Sequence, residues 1–227
     1  MKRIVSLSGV DVEYTLIQAP RRDVLIQALP GGVIRVYAPK TARLRDVDRL
    51  VTDNSQMILE ARERLKPKPL RDGGEIRIEG APRTVRLKTG RECVRLTGDE
   101  FIIAAPDISD GDAVRAQAMA FLSKYALARI RDRIDHYQPL TGGEVNRVAV
   151  RAQKSRWGSC SSKHNLNFNW RLILAPPQCL DYVVIHELCH LREFNHSPRF
   201  WSLVEEQMPD YRVWKDYLRR NGAGLAL

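Results

Sequence analysis

Apolar and polar positions alternate in short bursts along the first forty residues. "EYTLIQA", "DVLIQAL" and "VIRVYAP" are rich in β-branched residues and are separated by Pro20, Pro30-Gly31-Gly32 and Pro39, so each predicts a strand. The period then lengthens. In "VDRLVTDNSQMILEARERL" the residues Val47, Leu50, Val51, Ile58, Leu59 and Leu65 recur at helical spacing, predicting one helix that "KPKPLRDGG" ends. Alternation returns from Glu75 to about Ala105, in "EIRIEG", "RTVRLKTG", "CVRLTG" and "FIIAAP". "DAVRAQAMAFLSKYALARIRDRIDHY" predicts a long amphipathic helix stopped by Pro139 and Gly142-Gly143. Beyond it the chain reads as a strand "RVAVRAQ", a polar loop "KSRWGSCSSKHN" and a strand "LNFNWRLIL" broken by Pro176-Pro177. Three helices follow, "QCLDYVVIHELCHLREF", "SPRFWSLVEEQM" and "DYRVWKDYLRRNG". No internal repeat is visible in the sequence.

The shift from strands to helices near Ser109 predicts an α+β protein in two parts. Residues 1–109 form a β-rich region with one long helix, and residues 110–227 form a second domain. No apolar run approaches the roughly eighteen residues a membrane span needs. Asp11 and Glu13 interrupt the N-terminal stretch too early for a signal peptide. Cys93, Cys160, Cys179 and Cys189 are scattered, with no CxxC pair. A cytoplasmic protein with reduced thiols and no membrane partner is expected. The net charge of +10 is spread along the chain without a basic tail, so it marks no nucleic-acid-binding module. One local feature stands out: no acidic residue lies between Glu144 and Asp181, a window holding Arg147, Arg151, Lys154, Arg156, Lys163 and Arg171.

Directly after this window comes "HELCHLREFNH", which holds three of the chain's five histidines. His186, Glu187 and His190 match HExxH. Positions i and i+4 share a helix face, so two imidazoles can meet one divalent ion, expected to be zinc. Glu187 is one step round and can act as general base on a water at that ion, whose pKa falls to roughly 7. Leu180, Val184, Leu188 and Leu191 supply the opposite, core-facing side. For a third ligand the choice lies between Glu193 and His196. Glu193 is a turn too far along and suits orienting a histidine. His196 can bind only if the chain turns back. Asn195 tolerates the left-handed conformation, and Ser197-Pro198 suits the start of a new helix, so His196 is preferred.

The stretches "RWGSCSS", "NFNWRLILAPP", "DYVVIHELCHLREFNHSPRFW" and "YRVWKDYLR" resemble the YgjP-like metallopeptidase family, which is related to the SprT-like zincins. The resemblance covers about Val148 to Arg220. It implies a zincin-like catalytic domain, with His186, His190 and His196 as ligands of one zinc ion and Glu187 as catalytic acid/base. The implied activity is zinc-dependent hydrolysis of peptides. A UTP pyrophosphatase activity is also attached to the group, so a nucleotide is the alternative substrate. SprT-like relatives act on DNA-bound proteins, but no separate DNA-binding element is visible here. In the loop, Gly158 reads as a tight turn with Trp157 packed on the core. Alternatively the loop borders the cleft, where Arg156, Ser159 and Ser161 would bind a phosphate or a peptide carbonyl. "LNFNWRLIL" could pair with an extended substrate.

Overall fold

The computed structural model describes residues 1–29, 32–64, 69–153, 156–225 and 227. Pro30-Gly31 as a strand separator, Leu65 and the start of the helix-ending stretch at 66–68, and Lys154 of the basic window lie outside the described residues. The chain divides into two compact units, Met1–Lys68 and Pro69–Leu225.

In the first unit β1 (Lys2–Leu7), β2 (Val10–Ala19), β3 (Leu25–Leu29) and β4 (Val33–Pro39) form one sheet in the order β1-β2-β4-β3. The β2–β4 pair is parallel and the outer pairs are antiparallel. Leu7, Val12, Tyr14, Leu16, Ile34 and Val36 point inward and meet Val47, Val51 and Ile58 of the helices. The single helix predicted from the pattern is two, α1 (Leu44–Asp53) and α2 (Ser55–Arg64). Asn54 between them leaves helical geometry, at φ −100° and ψ 21°, and its side chain donates to the Leu50 carbonyl at 2.8 Å. A short amide that bonds its own backbone in this way competes with helix continuation.

The second unit opens with β5 (Glu75–Ile78), β6 (Ala81–Thr89), β7 (Cys93–Thr97) and β8 (Glu100–Ala105), in the order β5-β6-β8-β7. This is the topology of the first sheet over again, down to the parallel central pair. Each copy starts with a two-residue hairpin whose central residues both have positive φ: Ser8 (50°) and Gly9 (82°), then Glu79 (52°) and Gly80 (74°). That turn matches the twist of the flanking strands. The repeat escapes the sequence because topology depends on alternation and turn geometry, which "KRIVSLSGVDVEYTL" and "EIRIEGAPRTVRL" share without sharing residues.

The domain boundary falls at Pro69, not near Ser109. The second sheet belongs with the C-terminal helices because Ile78, Val85, Phe101 and Ile103 share one core with α3 (Gly111–Thr141) and the helices after it. On α3 the buried positions Val114, Ala118, Leu122, Ala126, Ile130 and Ile134 recur every four residues, forming one ridge. The helix runs through Pro139 and ends at Gly142, whose φ is +74°. A third sheet has the order β10-β11-β9, from β9 (Arg147–Arg151), β10 (Gly158–Cys160) and β11 (Asn165–Asn169). "LNFNWRLIL" is a strand only as far as Asn169. There the Asn169 side chain accepts from the Arg171 N–H at 3.2 Å and starts a 3-10 turn, Trp170–Leu174. The helices α4 (Pro177–Cys189), α5 (Pro198–Gln207) and α6 (Tyr211–Asn221) complete this α+β unit. Among the described residues, no helix is long and apolar enough to cross a membrane.

Candidate metal centre

Pro177 starts α4 at a position where its missing N–H costs nothing. Arg133 of α3 clamps the first turns, donating to Asp181 at 2.6 and 3.1 Å. The sequence pattern predicts an amphipathic helix. It is instead buried all round, with Tyr182, Val183, Val184, Ile185, Glu187, Leu188 and Cys189 all out of solvent. Beyond the exposed Pro177 and Gln178 of its first turn, only Asp181 and His186 are partly open, and the histidines stand at its C-terminal end.

The helix ends at Cys189 with His190 as its cap, so it stops a turn earlier than the predicted Phe194. The chain reverses through Arg192 and Glu193, whose N–H groups both donate to the Cys189 carbonyl. Asn195 does not take the left-handed conformation, so the reversal is achieved without it. Ser197 does cap α5, accepting from the Phe200 N–H at 3.3 Å. The outcome is the predicted one: His186, His190 and His196 come together, with one potential ligand atom from each within 4.8 Å of the others.

Three observations test whether this cluster suits a metal ion. First, His186 Nε2 and His196 Nε2 lie 3.1 Å apart. Two ligands on a tetrahedral zinc at about 2.05 Å would be about 3.3 Å apart. Second, His190 Nδ1 lies 3.0 Å from the Glu193 carbonyl, a partner that keeps this nitrogen protonated and leaves Nε2 to a metal. Glu193 thus orients a histidine as expected, but through its backbone; its carboxylate accepts from Asn195 instead. Third, metal ligation needs neutral imidazoles. Burial, aided by His190, His196 and Lys215, pulls the His186 pKa down to about 3, and burial lowers that of His190. The donor set fits a divalent ion of zinc type.

Aromatic side chains outside the HExxH motif wall the cluster. Phe200 stacks on His190 at 4.4 Å, and Trp201 on His196 at 5.6 Å. Tyr211 stacks on Trp201 at 5.3 Å, Tyr182 on Tyr211 at 6.3 Å, and the Lys215 ammonium sits 4.1 Å from the Trp201 ring centre. "SPRFW" and the four-residue spacing of Tyr211 and Lys215 are visible in the sequence, but nothing local ties them to the histidines.

Glu187 is only 4% exposed, and its Oε2 has no hydrogen-bond partner among the described residues. Burial pushes its pKa up to about 8, opposed by the Arg156 charge and the Cys160 backbone N–H. A Cβ built on Gly158 would lie 2.4 Å from Glu187 Oε1, which explains this glycine. Gly158 is a strand residue without positive φ, so the expected tight turn is not its purpose; the carboxylate occupies the space a side chain would need. Trp157 behaves as anticipated and packs on the core, closely enough that a Cβ on Gly222 would meet its ring at 2.5 Å.

The expected substrate-binding trio separates. Arg156 is exposed and its charge reaches Glu187. Gly158 and Cys160 face Glu187, so strand alternation turns Ser159 to the other face. The Ser161 hydroxyl accepts from the Asn165 N–H at 3.2 Å and is spent on the β10–β11 turn. Burial pushes the thiol pKa of Cys160 up to about 11 and that of Cys189 to about 12, so neither is a ready nucleophile.

Comparison with curated proteins found no match, nor did comparison with solved structures. The family model described as YgjP-like, metallopeptidase domain, matches residues 22–221. That span takes in the histidine cluster, Glu187 and Gly158, and the chain therefore belongs to the YgjP-like family.

Proposed function

We propose that the protein is a zinc-dependent peptidase in which His186, His190 and His196 hold the ion and Glu187 is the general base. The ion, when bound, would polarise the scissile carbonyl and lower the pKa of its water to roughly 7. Glu187 would take a proton from the attacking water and return it to the leaving amine. Its unpartnered Oε2 and its pKa of about 8 suit both halves of that transfer near neutral pH.

The observation that carries the peptide reading is the position of β10. Among the described residues it is an edge strand, paired on one side only, and it lies against α4 at Glu187. Trp157 and Ser161 bond to β11 through the Asn169 N–H and the Asn165 carbonyl. By the alternation of an antiparallel ladder, the N–H and C=O groups of Gly158 and Cys160 then point to the open edge. Of these, the Cys160 N–H acts on Glu187. The remaining groups offer an extended peptide a strand to join beside the general base. β11, the strand expected to play this part, is covered on both sides by β9 and β10.

A second reading is a metal-dependent nucleoside triphosphate pyrophosphatase, with UTP as the nucleotide, at the same centre. Exposed Arg156, whose charge reaches Glu187, supports it by offering a phosphate partner. A cytoplasmic location agrees with four free cysteines, two of them buried.

The test is a parallel assay of zinc-loaded protein on casein-derived peptides and on nucleoside triphosphates. We expect peptide cleavage, and Glu187→Gln should lower it by about 10²–10⁴-fold while zinc content stays at the wild-type level. Nucleotide turnover without peptide cleavage would decide for the second reading. Full activity of Glu187→Gln would remove the general-base assignment from both.

A further inference from the structure

The arginines of α6 all have hydrogen-bond partners. Arg219 and Arg220 donate to Asp216 at 3.1 and 3.4 Å, and Arg212 donates to the Tyr211 hydroxyl at 3.3 Å. Lys215 is placed differently. It adjoins Asp216 in sequence, yet among the described residues no carboxylate oxygen lies within 4.0 Å of its ammonium. Asp210, at the head of the helix, accepts from the Trp214 Nε1–H at 2.9 Å instead. The exposed Lys215 ammonium sits 4.1 Å from the centre of the Trp201 ring. Tyr211 stands one turn earlier on α6 and stacks on the same ring at 5.3 Å, so one face of the helix brings both groups to Trp201.

Trp201 is also a wall of the metal centre. Its ring lies 5.6 Å from that of His196 and 5.8 Å from that of His186, so the Lys215 ammonium is within about 10 Å of both imidazoles. A cation with no acid beside it works against a divalent ion in the same cleft, and metal retention alone would favour a neutral residue here. Engaging a ligand normally costs a lysine its rotamer freedom. Resting the ammonium on the indole face removes part of that cost beforehand. An extended peptide advances about 3.3 Å per residue, so a charge at this distance faces substrate groups up to about three residues from the bond being cut.

We propose that Lys215, held on Trp201, binds a carboxylate of the substrate and so selects peptides with an acidic side chain or a free C-terminus near the scissile bond. The inference rests on the peptidase reading of the metal centre and adds its substrate class. A compact ammonium with three rotatable donors reads charge rather than one side-chain shape, so aspartate and glutamate should serve alike. Lys215 sets specificity, and the proton transfer stays with Glu187.

Steady-state kinetics of the zinc-loaded full chain test it. A casein-derived peptide that the wild type cuts is remade with Glu or Gln at each of the three positions on either side of the bond, and with a free or an amidated C-terminus in the same range. At one position or at the terminus the charged form should have a kcat/KM at least about fivefold higher, chiefly through a lower KM. Preference for Glu over Gln would assign the carboxylate to a side chain; preference for the free acid over the amide would assign it to the terminus. Lys215→Met, which removes the charge and keeps an unbranched stem, should bring that ratio to about one, and Lys215→Glu should reverse it. If Lys215 merely fastened α6 to α5, the methionine variant would change charged and neutral peptides alike and leave the ratio intact, which would overturn the proposal. Should that variant not fold, the wild-type ratio supplies the test. It should shrink as sodium chloride rises from about 0.02 to about 0.5 M, and a ratio indifferent to salt would equally overturn the proposal. Equal cleavage of charged and neutral forms would overturn the carboxylate site and leave the peptidase reading standing. No cleavage of any peptide would remove both.

Discussion

The smallest decisive contact in this molecule is between a carboxylate and a missing side chain. Glu187 rests where a Cβ of residue 158 would be. Gly158→Ala should therefore displace the carboxylate while leaving the histidines in place. Peptide cleavage should fall at least tenfold, and zinc content measured by atomic absorption should not change. An alanine variant with wild-type turnover would show that the carboxylate position is not held by this contact. HExxH is legible in the sequence because helical spacing alone makes its geometry. The pairing of Gly158 with Glu187 is not, since 29 positions separate them and only the packing of β10 on α4 brings them together. Ser159 and Ser161 mislead for the same reason. Their chemistry is visible, but the side of the strand and the turn they serve are not.

At the scale of elements, most strands and helices follow from alternation and period, and the departures have physical causes. Asn54 splits one helix by bonding its own backbone. Asn169 ends a strand by capping a 3-10 turn. The early end of α4 is of the same kind, and it has a functional consequence. Because the helix stops at Cys189, the short reversal can bring His196 within 3.1 Å of His186 without help from Asn195. We expect His196→Ala to lower zinc affinity, read by competition with a chelator, by at least about tenfold, with circular dichroism unchanged. Unaltered affinity would mean that His196 is not a ligand. His196→Glu, which restores a donor, should recover part of the loss.

At the scale of the whole molecule, the sheet repeated in the two units serves different ends. In the second unit it is built into the core beneath α3. In the first unit it closes on α1 and α2 and carries a polar trio. The Tyr14 hydroxyl donates to Asp48 at 2.6 Å, and Arg3 Nε donates to the same carboxylate at 2.9 Å. Burial and Asp48 push the Tyr14 pKa up to about 12, and the hydrogen bond from Arg3 holds the Asp48 carboxyl below its usual value. The raised tyrosine contributes stability that is complete below its unfolded value of about 10 and is lost as pH rises toward 12. The depressed carboxylate contributes stability present above its unfolded value of about 3.9 and lost as pH falls. Urea unfolding followed by circular dichroism should therefore weaken between pH 10 and 12. Tyr14→Phe should be less stable at neutral pH by about 1 kcal/mol and show a flatter alkaline limb. An unchanged limb would detach it from this tyrosine.

The enclosure of α4 also constrains how the chain can vary. A helix with one free face tolerates a slip, because the free side absorbs it. This one has no such side: everything from Cys179 to Cys189 except His186 and Asp181 is already committed to the interior. One residue inserted after Pro177 would rotate the rest of the helix by about 100°. It would carry His186 and His190 away from the mouth of the site and put Ile185 and Cys189 in their places. The spacing of the histidines is thus fixed twice, by the ion they suit and by the hydrocarbon behind them, and insertions in this family should be found in the loops flanking α4 rather than within it.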